Sequence, residues 1–240
     1  MKTCLLPCIC LLTAAVACTR TEAPQANCDA PRLVSLKGGY PFVTEHNGTF
    51  YYLMQHPPAN SINIFTSRCI DSISDSNGSL ILVGDSLGMK NIWAPELHRI
   101  DSKWYIYFEA DDGNTDNHQL FVIENSTDNP LEGEWTLHGP IITGDECNFG
   151  IHPSSLVADG RQYLLWSGWQ QQRVETETQC IFIAEMENPW TPKSERILIS
   201  RPEYEWERQW VNRDGTRTAY PIFVNENPAP FVSPDGRNIC

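Results

Sequence analysis

Basic residues are scarce in this sequence: 17 Lys and Arg stand against 30 Asp and Glu, a net charge of −13 over 240 residues. A protein that grips nucleic acid neutralises phosphates with a basic surface, so nucleic acid is excluded as a partner. Anionic polymers would be repelled, and neutral ones are compatible with this charge. Nine cysteines are present, but no two are spaced as CxxC, so the sequence supports no zinc site or other metal site. Long apolar runs are missing too. The one apolar stretch, Thr3 to Ala17, is too short to span a bilayer as a permanent helix. Helical periodicity is almost absent beyond residue 32, which argues against an α or α/β domain.

The short apolar stretch follows Lys2 and ends in small residues, so residues 1–17 are expected to be an export signal. Val16-Ala17-Cys18 resembles a bacterial lipobox, in which Cys18 carries a lipid, although Ala15 stands where Leu is usual. The expected location is outside the cytoplasm, as a cell-surface or periplasmic lipoprotein of a bacterium or as a secreted protein. Any membrane attachment would run through the lipid on Cys18. Residues 18–32 are polar with Pro and Ala and read as a tether. Five cysteines remain beyond Cys18, an odd number; a Cys147–Cys180 disulfide is one pairing this count allows. Three sequons, beginning at Asn47, Asn77 and Asn125, read as exposed turns.

What the remaining sequence has is short aromatic or β-branched runs separated by Asn, Asp, Gly and Pro, the punctuation of an all-β fold. It also repeats itself. Tyr40-Pro41, Ala94-Pro95 and His152-Pro153 are each followed, seven positions after the proline, by the second residue of Asn47-Gly48, Asp101-Ser102 and Asp159-Gly160. Each turn leads into an aromatic run. Asn227-Pro228 begins a fourth copy, with Gly236 eight positions on. Successive prolines lie 54, 58 and 75 residues apart, which is room for four strands per unit. Four-stranded units at this spacing predict a β-propeller over 33–240, truncated within its fourth blade. Residues beside the prolines are expected to converge on one pocket.

The stretches NIWAPELH (91–98), WYIYF (104–108), ADDG (110–113), LWSGW (165–169), IAEMENPW (183–190), ISRPEYEWE (199–207) and VNENP (224–228) occur in an order that resembles glycoside hydrolase family 43. The resemblance implies a five-bladed propeller that hydrolyses O-glycosyl bonds in poly- or oligosaccharides, arabinofuranosidase- or xylosidase-like and of the inverting type. It implies no cofactor in the chemistry and leaves room for a structural calcium. Inversion uses one carboxylic acid against the leaving oxygen and a second carboxylate to activate water, roughly 6.5–9.5 Å apart. The family adds a third carboxylate that tunes the acid. Carried onto this chain, Glu226 matches the general acid, while Tyr40 stands at the general-base position and His152 at the acid-tuning position. Trp93, Glu96 and Asn225 are expected to bind substrate. The competing expectation is a lipoprotein that binds carbohydrate without cleaving it, because two of three carboxylates are replaced. Glu45, Glu96, Glu109, Asp111 and Asp112 are nearby carboxylates that could stand in for the missing pair, but none occupies the base position and an acidic turn residue is usually just solvated.

Overall fold

The computed structural model describes residues 38–55, 60–73, 78–144, 147–171, 178–211 and 217–240. The expected signal, the tether and Cys18 lie outside the described residues.

Three sheets follow one another along the chain as the blades of a β-propeller. The first is the meander β1 (Gly39–His46), β2 (Thr49–Gln55), β3 (Ser61–Ser67) and β4 (Gly78–Val83). The second is β5 (Lys90–Ile100), β6 (Lys103–Asp111), β7 (Gln119–Asn125) and β8 (Thr136–Ile141). The third begins in the same way with β9 (Gly150–Ala158), β10 (Arg161–Trp169) and β11 (Thr178–Asn188). Its outer edge is shared: β13 (Ile197–Ser200) pairs antiparallel with Ile181–Ile183, while β15 (Arg217–Val224) pairs parallel with Thr178 and Gln179. The two-residue β12 (Thr191–Pro192) also borders β11, and β14 (Arg208–Val211) pairs with β15. After Val224 the chain forms no further strand among the described residues. It closes instead a small hairpin, through reciprocal backbone bonds between Phe231 and Cys240.

The repeated turns do what their residues require. Asn47 and Gly48 have φ of 52° and 70°, Asp101 and Ser102 47° and 66°, Asp159 and Gly160 50° and 70°. Positive φ at both central residues is what joins right-twisted strands through a two-residue loop, and Asn, Asp and Gly tolerate it best.

The repeated prolines mark a feature the spacing alone did not disclose. In β1, Gly39 faces Gln55 and Phe42 faces Leu53, so Tyr40 and Pro41 together oppose Met54. In β5, Ala94 and Pro95 oppose Phe108; in β9, His152 and Pro153 oppose Trp166. Each is a two-for-one β-bulge at the same place in its blade. The bulge accommodates a proline that could not donate to a regular ladder. It also holds the residue before the proline at positive φ: 50° for Tyr40, 40° for Ala94, 52° for His152. Non-glycine residues there cost on the order of 1–2 kcal/mol, a strain found where a side chain must be re-aimed.

Burial follows the two-residue period of a strand. On β6, Trp104, Ile106, Phe108 and Ala110 pack with Leu53, Ile62 and Ile64 of the first blade. Tyr105 and Tyr107 of the same strand pack with Leu164, Trp166 and Phe182 of the third. Trp104 and Trp166 are wholly buried, and Trp169 lies face to face with Phe149 at 3.6 Å. Two smaller expectations are corrected. No disulfide joins Cys147 and Cys180, whereas Cys69 is disulfide-bonded. Asn125 is no exposed turn; it is fully buried, with its amide nitrogen donating to the Glu132 carbonyl at 2.7 Å.

Trp166 opposes the third bulge and fills the space between two blades. Trp166→Ala is expected to destabilise the fold by about 3–5 kcal/mol, read as a lower urea midpoint with little change in slope.

Candidate active site

The first strands of the three blades pack side by side, and the bulges turn their pre-proline side chains into the hollow between them. The Tyr40 and His152 rings meet there, centroids 4.5 Å apart and tilted by 49°. Glu226 arrives from the segment after β15, its Oε2 3.6 Å from His152 Nε2. His152 is buried, whereas the Glu226 side chain is 40% exposed, so the carboxylate forms the accessible face of the pair. Three of the four side chains expected to converge are therefore in one place. Glu96, the fourth, is close enough to act on His152 electrostatically, while accepting a hydrogen bond from His98 Nε2 at 2.9 Å.

Glu226 is held by groups that sequence reading did not single out. Gln179 Nε2 donates to its Oε2 at 2.8 Å. The buried Ser167 hydroxyl donates to the Asn225 carbonyl (3.3 Å) and accepts from the Asn227 N–H (3.2 Å), clasping the backbone on both sides of the acid. The Asn225 N–H bonds the Gln179 carbonyl at 3.0 Å, and Asn227, at φ 64°, takes the left-handed conformation that Asn tolerates. The Asn225 side chain serves structure. Its amide nitrogen donates to Glu207 Oε1 and its oxygen accepts from Ser200 Oγ, each at 2.9 Å. Glu207 also accepts the Glu203 and Tyr204 N–H groups, which orders the loop 201–207. That loop carries Tyr204 and Trp206, exposed and nearly parallel, with 9° between the ring planes.

Trp93 lies beyond the bulge of β5, half-buried, with its indole 4.2 Å from the His118 ring. His118 is buried and bonded to Asn91 O and Thr115 O, with Asp111 at 3.2 Å. Asp111 and Asp112 are not idle turn acids, because both accept bonds that shape the β6–β7 connection. Asp111, Asp112 and His118 border a cleft of about 580 Å³ that also reaches Asn148 and Phe149. Its acids are engaged in shaping their own loops, and it contains none of the Tyr40, His152 and Glu226 group. Among the described residues no group of three or more His, Cys, Asp or Glu is placed to hold a metal ion.

The largest departure from expectation is Glu109. It faces inward from β6, fully buried, with no side chain bonded to either carboxylate oxygen and the His152 backbone as its nearby polar neighbour. Burial disfavours the charged form and pushes its pKa up to about 7; His152 opposes this and Glu96 reinforces it. For His152 the balance reverses. Burial alone would lower its pKa, but the close contact with Glu226 and the charges of Glu109, Glu226 and Glu96 outweigh it, so the imidazole is raised above its ordinary value. The hollow thus favours a positive ring amid acids.

The three sheets are blades of a β-propeller, and a carboxylate and an imidazole meet at the hollow between their first strands. Comparison with known proteins makes the placement specific. The model of the glycosyl hydrolases family 43 matches residues 33–227, and the chain belongs to that family. It is similar to alpha-L-arabinofuranosidase 43 of Humicola insolens, 31% identical over 92% of this chain and 43% of that protein. It is similar also to the extracellular exo-alpha-(1->5)-L-arabinofuranosidase of Streptomyces chartreusis, 33% identical over 70% of this chain and 51% of the relative. The chain spans about half the length of these two relatives. Among solved structures, the alpha-L-arabinofuranosidase from Lactobacillus brevis superposes with a TM-score of 0.61 at 24% identity, over 84% of this chain and 81% of that one. The endo-arabinase from Bacteroides thetaiotaomicron VPI-5482 gives 0.61 at 19%, over 85% and 68%. Both share the fold.

Glu109 and His152 make stability fall as pH rises. An unfolded Glu loses its proton near 4.5 and Glu109 only near 7, so the native state binds the extra proton between those values and is progressively disfavoured as it leaves. His152, raised when folded, adds stability that is complete below its unfolded value and lost through its folded one. Chemical denaturation at steps from pH 4 to 8 is expected to show this decline. Glu109→Gln should remove most of it and be more stable than the parent at pH 8.

Proposed function

We propose that this chain is an exported glycoside hydrolase that cleaves arabinofuranosyl linkages in oligo- or polysaccharides. The observation that carries this reading is Glu226: the one family carboxylate retained stands at the mouth of the hollow, fixed by Gln179 and Ser167. Family membership and the arabinofuranosidase names of its relatives support the substrate class, and the description of one relative as extracellular supports export. Residues 1–17 act as the signal, with Cys18 the lipid-bearing residue if the lipobox is used. Substrate is the partner, and no cofactor enters the chemistry.

The reaction breaks the bond between the anomeric carbon and the leaving oxygen. His152 Nε2 and Glu226 Oε2 stand 3.6 Å apart and Glu226 is the exposed member, so a proton held by this pair passes through Glu226 to the leaving oxygen. Water supplies the hydroxyl that replaces it, and its spare proton leaves through solvent. Tyr40, at the base position, has an unperturbed pKa near ~10 and orients that water as a neutral hydrogen-bond partner. Water activation is then the slow half, and turnover is modest. The loop that Glu207 ties to Asn225 presents Tyr204 and Trp206 as a flat surface for the apolar face of a sugar.

Glu226→Gln in the full chain is expected to lower kcat on aryl arabinofuranosides and arabino-oligosaccharides by about 10²–10⁴-fold and to leave saccharide binding measurable by calorimetry. Tyr40→Asp is expected to raise kcat by supplying a carboxylate for the water. Saccharide binding with no turnover in the parent, restored only when carboxylates replace Tyr40 and His152, would make the chain a binding protein and overturn hydrolysis. Trp206→Ala is expected to raise KM on oligosaccharides several-fold, as loss of one stacking partner of about 1 kcal/mol requires, with kcat little changed.

A further inference from the structure

Glu109 has no part in the reaction as drawn, yet its environment is the most unusual in the molecule. Strand alternation decides where it points. Phe108 and Ala110 face the first blade, so Glu109 shares the opposite face of β6 with Tyr105 and Tyr107, toward β9. There its carboxyl lies near the backbone and the charge of His152. Neither of its oxygens has a side-chain partner and His152 Nδ1 has no hydrogen-bond partner, all of them buried. Buried polar atoms so poorly satisfied are rare in native folds, and three of them around one hollow need a reason. An apolar side chain would fill this position without that penalty.

We infer that Glu109 is a positioning residue for the hydrolysis proposed above, a carboxylate on the second blade that supplies from behind His152 the negative charge missing at position 152 itself. His152 then lies between two acids, Glu226 before it and Glu109 behind it. The charged and titratable groups facing the ring are Tyr40 from β1, Glu96 from β5, Glu109 from β6 and Glu226. Glu109 in turn is faced by His152 and Glu96. With Glu109 ionised, the His152–Glu226 pair keeps its proton to higher pH, so the group that protonates the leaving oxygen stays loaded. No bond to Glu109 forms or breaks.

The test is the titration of the His152 ring, followed by NMR in the histidine-labelled full chain, parent against Glu109→Gln, with unchanged circular dichroism as the control for folding. The expected result is that His152 loses its proton at lower pH in the variant. The alkaline limb of kcat should move the same way, lowering kcat about tenfold for each unit of displacement while KM holds. An unaltered His152 titration in a folded variant would overturn the inference. Should the variant not fold, the Glu109 carboxyl carbon can be followed in the parent. Loss of its proton over the range in which His152 titrates supports the role; a carboxyl protonated throughout that range refutes it. Because the titration needs no turnover, a parent without hydrolytic activity would sink the functional proposal alone.

Discussion

The arrangement depends on a backbone device, the two-for-one bulge at each X-Pro step. A regular first strand would alternate its side chains between the two faces of its blade and present none along the strand toward the hollow. The extra residue breaks that alternation once per blade, and proline ensures that it does so at a fixed place, because the lost N–H has no ladder partner there to miss. Tyr40, Ala94 and His152 are held at positive φ as a result. What keeps them there is the residue opposite. Met54, Phe108 and Trp166 are buried under the bulges, the last two in the layers that join one blade to the next. Packing between blades and strain at the site are therefore the two sides of one contact.

This device explains what the sequence disclosed and what it concealed. The identical seven-residue offset from proline to turn revealed the blades, since both ends of that interval carry residues chosen for their backbone: a proline, then Asn-Gly or Asp-Gly. The convergence of Tyr40, His152 and Glu226 followed from it. Glu109 was visible as a nearby carboxylate, but its burial was concealed because a lone acid before Ala110-Asp111-Asp112-Gly113 looks like the start of a solvated turn. The strand runs to Asp111, two residues past Glu109, and that difference carries the acid inside. Ser167 and Gln179 were equally hidden, because their work is done on the backbone and side chain of a segment some fifty residues away in sequence. The parallel pairing of β15 with β11 had no local signal either. A free strand edge accepts whatever strand reaches it, and no pattern of side chains announces that meeting.

Electrostatics in the hollow differ in kind from those on the surface. Lys90 and Asp85 make an ion pair that solvent screens, and such pairs contribute little to stability. Around His152, burial weakens screening and each charge is felt by its neighbours. Desolvation acts on Glu109 and His152 alike, in both cases favouring the neutral form, yet the outcomes differ. Glu109 has one cation to offset its burial and a neighbouring acid that compounds it. His152 has three carboxylates, and their sum prevails over burial. The ring is therefore the better place for a positive charge than Glu109 is for a negative one, and the group as a whole holds protons more tightly than its parts would in water.

That excess affinity bears on how a site can change its chemical groups while keeping its task. A catalytic acid needs a neighbour that retains or returns its proton, and a carboxylate in the adjacent position is one way to provide it. An imidazole in that position reverses the sign of the neighbour and, alone, would hold Glu226 ionised. A second carboxylate behind the imidazole restores the balance: it draws the positive charge back from Glu226 and lets the pair act as a proton store rather than a fixed ion pair. The replacement therefore cannot be judged one position at a time. His152 makes chemical sense in this chain only together with Glu109, and the bulge that turns the one into the hollow lies against the strand that buries the other.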